Sequence, residues 1–131
     1  MQSTVFAILM FLGSVFSPQN DITQQVLNLM QSGNSQSLSA HFSAKIDLAV
    51  PGVDDVYSRA QAELILKKFF ASNPPQSATL VHQGTSKLGV QYRIATLKTG
   101  KGDFRVSFHM KDVGGKLYIQ QLRIEPSDDD F

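Results

Sequence analysis

From residue 77 onward, apolar and polar residues exchange every second position in four segments, 78–83, 89–98, 103–111 and 116–125. A period of two turns one face of each segment toward a core and the other toward water. The intervening links, 84–86, 99–102 and 113–115, each contain glycine and are too short to house a crossover helix. Neighbouring segments therefore have to run antiparallel, as hairpins. Phe104, Val106, Phe108 and Met110 form the cleanest inward row. More than a third of the chain, residues 78–125, is thus committed to a sheet with one apolar face, and that face needs a cover.

The cover comes earlier in the chain. Ile22, Val26, Leu29 and Met30 recur at helical spacing behind Asp21, which has capping-box spacing to Gln24, and Gly33-Asn34 stops the run. Residues 35–42 read as a second, short helix with Leu38 and Phe42 as its contacts. Residues 45–50 alternate again, with Ile46, Leu48 and Val50 on one face and Lys45, Asp47 and Ala49 on the other, and Pro51-Gly52 ends them. A loop carrying Asp54 and Asp55 is expected next, leading to Val56-Tyr57. Ser58 and Gln61 form a capping box behind Tyr57 and open the clearest helix, with Ala62, Ile65, Leu66 and Phe69 as its buried stripe. Glu63 and Lys67 are spaced to pair on its wet face, and Asn73-Pro74-Pro75 terminates it. Helices ahead of a run of strands predict an α+β domain, its helices packed on one face of a strongly curved antiparallel sheet.

Charge divides the chain differently. It carries 12 Lys and Arg against 11 Asp and Glu, and residues 1–20 carry none of them. Residues 5–16 are almost wholly apolar, shorter than the roughly 20 residues of a membrane span but matched to the apolar region of a secretory leader. The first four residues lack Lys and Arg, and Pro18 follows the nearest small-residue site, so a cut before Asn20 or Asp21 is equally consistent. The alternative is a buried first helix, which would normally carry some polar face. The expected organisation is a cleaved leader over 1–19, one domain over 20–126 and an acidic tail over 127–131, with an exported product, periplasmic or extracellular, and no membrane span. The absence of cysteine excludes disulfides, thiolate zinc sites, cysteine nucleophiles and a lipid-modified cysteine. A cysteine-free exported chain fits a bacterial envelope.

The order of elements, together with Ser32-Gly33-Asn34, Val50-Pro51-Gly52, Tyr57-Ser58, Ala60-Gln61-Ala62-Glu63, Phe69-Phe70, Asn73-Pro74-Pro75, His82 with Gly84, the run from Gly102 to Val106 and the run from Gly114 to Glu125, resembles the nuclear transport factor 2-like, or cystatin-like, superfamily. More closely it resembles domain of unknown function family 4783, small exported proteins of Bacteroidetes. The resemblance covers about residues 21–125. It implies a cone-shaped fold and export, and it brings no activity and no catalytic residues. Isomerases, dehydratases and plain binding modules all occur in the wider superfamily, and a fold alone selects none of them.

Isomerase-like members of that fold aim a carboxylate or a histidine into the cone. Here Asp47 alternates away from Ile46 and Leu48, Asp103 and Asp112 stand at strand ends, Asp54 and Asp55 fall in the expected loop and Glu63 points outward, so no carboxylate is expected inside. His82 shares its face with Ala78 and Leu80, and Tyr92 shares its face with Val90 and Ile94. Both are expected to face inward, either orienting a polar ligand or serving as ordinary core. Arg105 and His109 alternate away from Phe104 and Phe108, and Arg93 is expected to join them on the outer sheet face. Residues 87–123 hold 8 basic against 2 acidic residues, so that face could take an anionic ligand or an acidic partner, or simply meet water. The candidate ligand-binding residues are therefore His82, Tyr92, Arg93, Arg105 and His109. The three histidines lack metal-ligand spacing, no phosphate loop or nucleophile elbow occurs, and no catalytic residue, metal or cofactor is expected. The expected function is a non-enzymatic module for a small ligand or a protein partner, without nucleic acid and with a homodimer through the outer sheet face. The alternative is an isomerase- or dehydratase-like enzyme using His82 and Tyr92.

Overall fold

Two short helices lead into the sheet of the computed structural model, which describes residues 21–127. The expected leader and residues 128–131 of the expected tail lie outside them. Helix α1 (Thr23–Gln31) buries Val26, Leu27 and Met30. It ends in a Schellman turn, in which Gly33 N–H donates to Met30 O (3.0 Å) and Asn34 N–H to Leu29 O (2.9 Å). Gly33 sits at φ +66°, where a side chain would be strained. Asn34 then caps α2 (Ser35–Ser39), its side chain accepting from Ser37 N at 3.1 Å. The capping box expected at Asp21 does not form. Asp21 Oδ1 accepts from Thr23 N and Oγ1 instead, and Gln24 donates to Asn28.

The sheet has six strands in the order β2-β1-β6-β5-β4-β3. They are β1 (Phe42–Val50), β2 (Val53–Ser58), β3 (Pro75–Thr85), β4 (Gln91–Thr99), β5 (Gly102–Val113) and β6 (Lys116–Pro126), and α3 (Arg59–Ser72) lies between β2 and β3. Every neighbouring pair is antiparallel except β1 and β6, which run parallel. β2 replaces the expected loop. It turns back on β1 through Pro51-Gly52, an edge strand in which Asp54 and Asp55 face water and only Val53 and Tyr57 reach the core.

Helix α3 starts where the sequence places it. Gln61 N donates to Ser58 Oγ (3.2 Å) and Ser58 N donates to Gln61 Oε1 (3.0 Å). Its stripe of Ala62, Leu66, Phe69 and Phe70 packs toward β1, while α1 packs toward β3. Glu63 leans inward, and Ser39 Oγ donates to its Oε1 at 3.1 Å in place of the expected pair with Lys67. The inner sheet face supplies Phe42, Ile46, Leu48, Val106, Phe108, Met110, Ile119, Leu122 and Ile124 to one continuous core.

Two strands present faces other than the expected ones. On β4 the buried residues are Arg93, Ala95, Leu97 and Thr99, so Tyr92 and Ile94 point outward. On β3 the register moves from Leu80↔Ala95 to His82↔Ile94, a bulge with Val81 as the extra residue. Ala78 and Leu80 pack against the core as expected, but past the bulge His82 stands beside Ile94 on the outer face and is exposed.

Candidate functional site

The five sequence candidates separate into two groups. His82, Tyr92, Arg105 and His109 share the outer face of β3, β4 and β5, with Arg105 four residues along β5 from His109. The His82 and Tyr92 rings lie 5.8 Å apart, and Tyr92 is the cross-strand partner of His109. The proximity of His82 and Tyr92 was expected, but their place inside the cone was not found. Tyr92 lies across Gly84, its partner on β3, and a Cβ at Gly84 would overlap the phenol ring. Glycine is therefore required wherever the tyrosine lies flat on the strand. Beside this row a groove of about 290 Å³ is lined by Val81, His82, Ile94, Ala95, Thr96 and Arg105. The bulge forms one wall, and Val81 stays 63% exposed.

Arg93 does not join this face. It is 5% exposed and runs inward beneath the start of α1. Its Nε donates to Thr23 Oγ1 (2.8 Å), Nη1 to Tyr92 O (2.9 Å) and Gly84 O (3.3 Å), and Nη2 to Gln91 Oε1 (2.9 Å). Asp21 Oδ1 lies 3.8 Å from the guanidinium. Hydrogen bonding from the Thr23 hydroxyl, more than the arginine charge, holds the Asp21 carboxyl below its usual range against the opposing effect of burial. With every donor group engaged inside the protein, Arg93 joins the first helix to the hairpin and is a structural residue.

A second cavity went unmarked in the sequence. It opens between the C-terminal half of α3, the β1–β2 turn, the start of β5 and the end of β6, and holds about 580 Å³. Val50, Pro51, Val53, Ile65, Phe69, Phe104 and Pro126 line it, with Lys68, Ser72 and Asn73 as its polar members. These residues lie up to 76 positions apart, from Val50 to Pro126, so no local motif announces it. A third, shallower cleft of about 350 Å³ lies across the β1–β2 turn, where Arg123 meets Asp54 at 3.3 Å.

The polar residues buried among the described ones are Thr23, Ser35, Ser39, Arg93 and Thr99, so no buried carboxylate or histidine faces the interior. His41 is half-buried near the open end of β6. Burial, and secondarily the charge of Lys116, lower its pKa from the usual value. Among the described residues no group of three or more His, Asp or Glu could hold a metal ion. None of their helices is long and apolar enough to cross a membrane.

The model of the family described as "Domain of unknown function (DUF4783)" matches residues 23–125, nearly all of the described chain. The chain belongs to the DUF4783 family. Solved DUF4783 structures agree. The protein from Bacteroides uniformis is 28% identical with a TM-score of 0.76, covering 83% of this chain and 100% of its own. That from Bacteroides fragilis is 29% identical with a TM-score of 0.73, covering 85% and 99%. A domain of unknown function with a cystatin-like fold from Nostoc punctiforme, 10% identical with a TM-score of 0.66 over 85% of this chain and 76% of that one, shares the fold alone. The architecture is thus nuclear transport factor 2-like and cystatin-like, and this DUF4783 chain has no established function. No curated protein matches it.

Proposed function

We propose that this DUF4783 protein is an exported, non-enzymatic binding module that holds a small amphipathic molecule in the cavity beside α3. The carrying observation is the cavity itself. About 580 Å³ of mostly apolar space, edged by Lys68, Ser72 and Asn73, is the size and make-up of a small-molecule site. The apolar body of a ligand would lie against Ile65, Phe69 and Phe104. An anionic or hydrogen-bond-accepting head would lie toward Lys68 and Asn73. Among the described residues no acid or histidine is fully buried to act as a general base, and this supports binding rather than turnover. Export is supported by the uncharged, apolar run near the N-terminus, and sequencing the N-terminus of material recovered from outside the cytoplasm tests it.

The test is a titration with dodecanoate followed by NMR. Saturable shifts at Val50, Ile65, Phe69 and Phe104, weakened by Lys68→Ser, are expected. Binding that leaves those signals unmoved refutes the reading.

A second reading, self-association through the outer sheet face, is favoured by one observation. Val81, Tyr92 and Ile94 place apolar surface where a merely wetted face would need none. Size-exclusion chromatography with light scattering over a wide concentration range tests it, and a monomer throughout rejects it.

A further inference from the structure

The β1–β2 turn stands between two open spaces. Val50, Pro51, Val53 and Pro126 line both the cavity beside α3 and the shallower cleft that holds Arg123 and Asp54. The turn itself is poorly matched to its strands. Val50 pairs with Val53, so Pro51 and Gly52 alone make the connection. The two-residue turns that follow the twist of a hairpin need a positive φ at their first position, which the proline ring forbids. With Gly52 at φ +84°, the turn has the dihedral signs of type II, which splays the strands it joins.

The tip is also held at few points. The last pair between β1 and β6 is Ala49↔Arg123, whereas β6 continues beside β5 as far as Pro126. Residues 50–53 therefore project past the last β1–β6 pair, and among the described residues only their own hairpin pairs with them. On the inner side Val50 is 8% exposed and Val53 packs partly against the core. These two valines also face the cavity, so an apolar ligand can replace the contacts they lose when they move. On the outer side one ion pair crosses the root of the tip. Asp54, Ala49 and Arg123 stand in one row, and Arg123 reaches across Ala49, its Nη1 (3.4 Å) and Nη2 (3.3 Å) both donating to Asp54 Oδ2. The two side chains are 32% and 62% exposed, so the pair is weak and easily screened.

We propose that residues 50–53 form a flap on the cavity beside α3. The flap swings toward the cleft to admit or release a ligand, and the pair between Arg123 and Asp54 at its root is the latch. The cleft, about 350 Å³, is the room it moves into. A bound apolar ligand takes up the contacts of Val50 and Val53 and draws the flap back. The role in ligand entry rests on the reading of the cavity as a binding site; the motion of the empty protein does not.

NMR relaxation dispersion, which reports exchange on the microsecond-to-millisecond scale of hinge motion, tests the empty protein first. Exchange is expected at Val50, Gly52 and Val53 and not along β5. Asp54→Ser, and about 1 M salt on the unaltered chain, should each raise the open population by up to about fivefold, the ceiling for an exposed ion pair. Asp55→Ser is the control. It removes the neighbouring charge, whose carboxylate accepts from Val56 N rather than from Arg123, and should leave the exchange unchanged. With dodecanoate bound, exchange at the three positions should be quenched, and Asp54→Ser should speed release by a similar factor. Quiet signals at residues 50–53 in both the unaltered chain and Asp54→Ser would overturn the flap. An Asp55→Ser effect as large as that of Asp54→Ser would overturn the latch. Failure of dodecanoate to shift the cavity signals would strike the binding reading alone, because the empty protein decides the flap.

Discussion

Replacing Arg93 by alanine tests which face of β4 is buried, and with it the attachment of the first helix. The side chain is 5% exposed, and its guanidinium donates to Thr23, Tyr92, Gly84 and Gln91. A hydrogen bond from a charged donor nets about 1.5–3 kcal/mol, less where water can replace the partner. The Thr23 bond is buried, and the Tyr92 carbonyl at 2.9 Å is next best protected, so these two dominate. The ion pair with Asp21 adds little, because it spans 3.8 Å and the carboxylate side chain is 43% exposed. Allowing for the desolvation that the substitution relieves, the expected loss is about 3–4 kcal/mol, within the range for removing one member of a buried charged cluster. In a domain of this size that lowers Tm by roughly 10–20 °C. The chain has no tryptophan, so urea unfolding is followed by far-ultraviolet circular dichroism, with the slope expected to stay constant. Lys98→Ala, on the exposed face of the same strand, is the control and should change stability by no more than about 0.5 kcal/mol. If Arg93→Ala is equally mild, the guanidinium is in water, and β4 runs with Tyr92 and Ile94 inward.

Ser58→Ala removes the acceptor of the capping box and should cost about 1 kcal/mol, read by thermal melting. Gly84→Ala should cost about 1–2 kcal/mol by forcing Tyr92 off the strand, and most of that cost should vanish in a Tyr92→Ala background; additive costs would refute the contact. Burial and the Lys116 charge lower the folded-state pKa of His41 below its unfolded value near 6.5, so the unfolded chain binds more protons as pH falls. The stability contribution is complete above about pH 6.5 and declines below it, and His41→Gln should flatten that part of the urea-midpoint profile.

Where the sequence could be read correctly, local signals and burial coincide. The Ser58 capping box needs only three residues of context, and on β5 the alternation of Phe104, Val106, Phe108 and Met110 with Arg105, Ser107 and His109 leaves a single choice of face. β2 escaped because an edge strand with two adjacent aspartates looks like a loop until Leu48 and Ala49 are placed opposite them. The cavity beside α3 escaped because its walls come together only in the folded chain.

β4 and β3 failed for a different reason. On β4 both faces carry apolar residues, Tyr92 and Ile94 on one and Ala95 and Leu97 on the other, so a period of two has no sign. The sign is set by the bond from Arg93 to Thr23, across 70 residues of sequence. On β3 a single extra residue, Val81, reverses every face beyond it. These two misreadings fall on adjacent strands at one place. A face that only meets water has no use for Val81, Tyr92 and Ile94, and the side chains that defeat the periodicity are the ones that build the groove and the row beside it. Local rules are expected to break where a surface is shaped for contact rather than for solvation. The failure of the pattern at β3 and β4 is therefore itself an argument that this face is shaped for an occupant, and the concentration series by light scattering decides whether that occupant is a second copy.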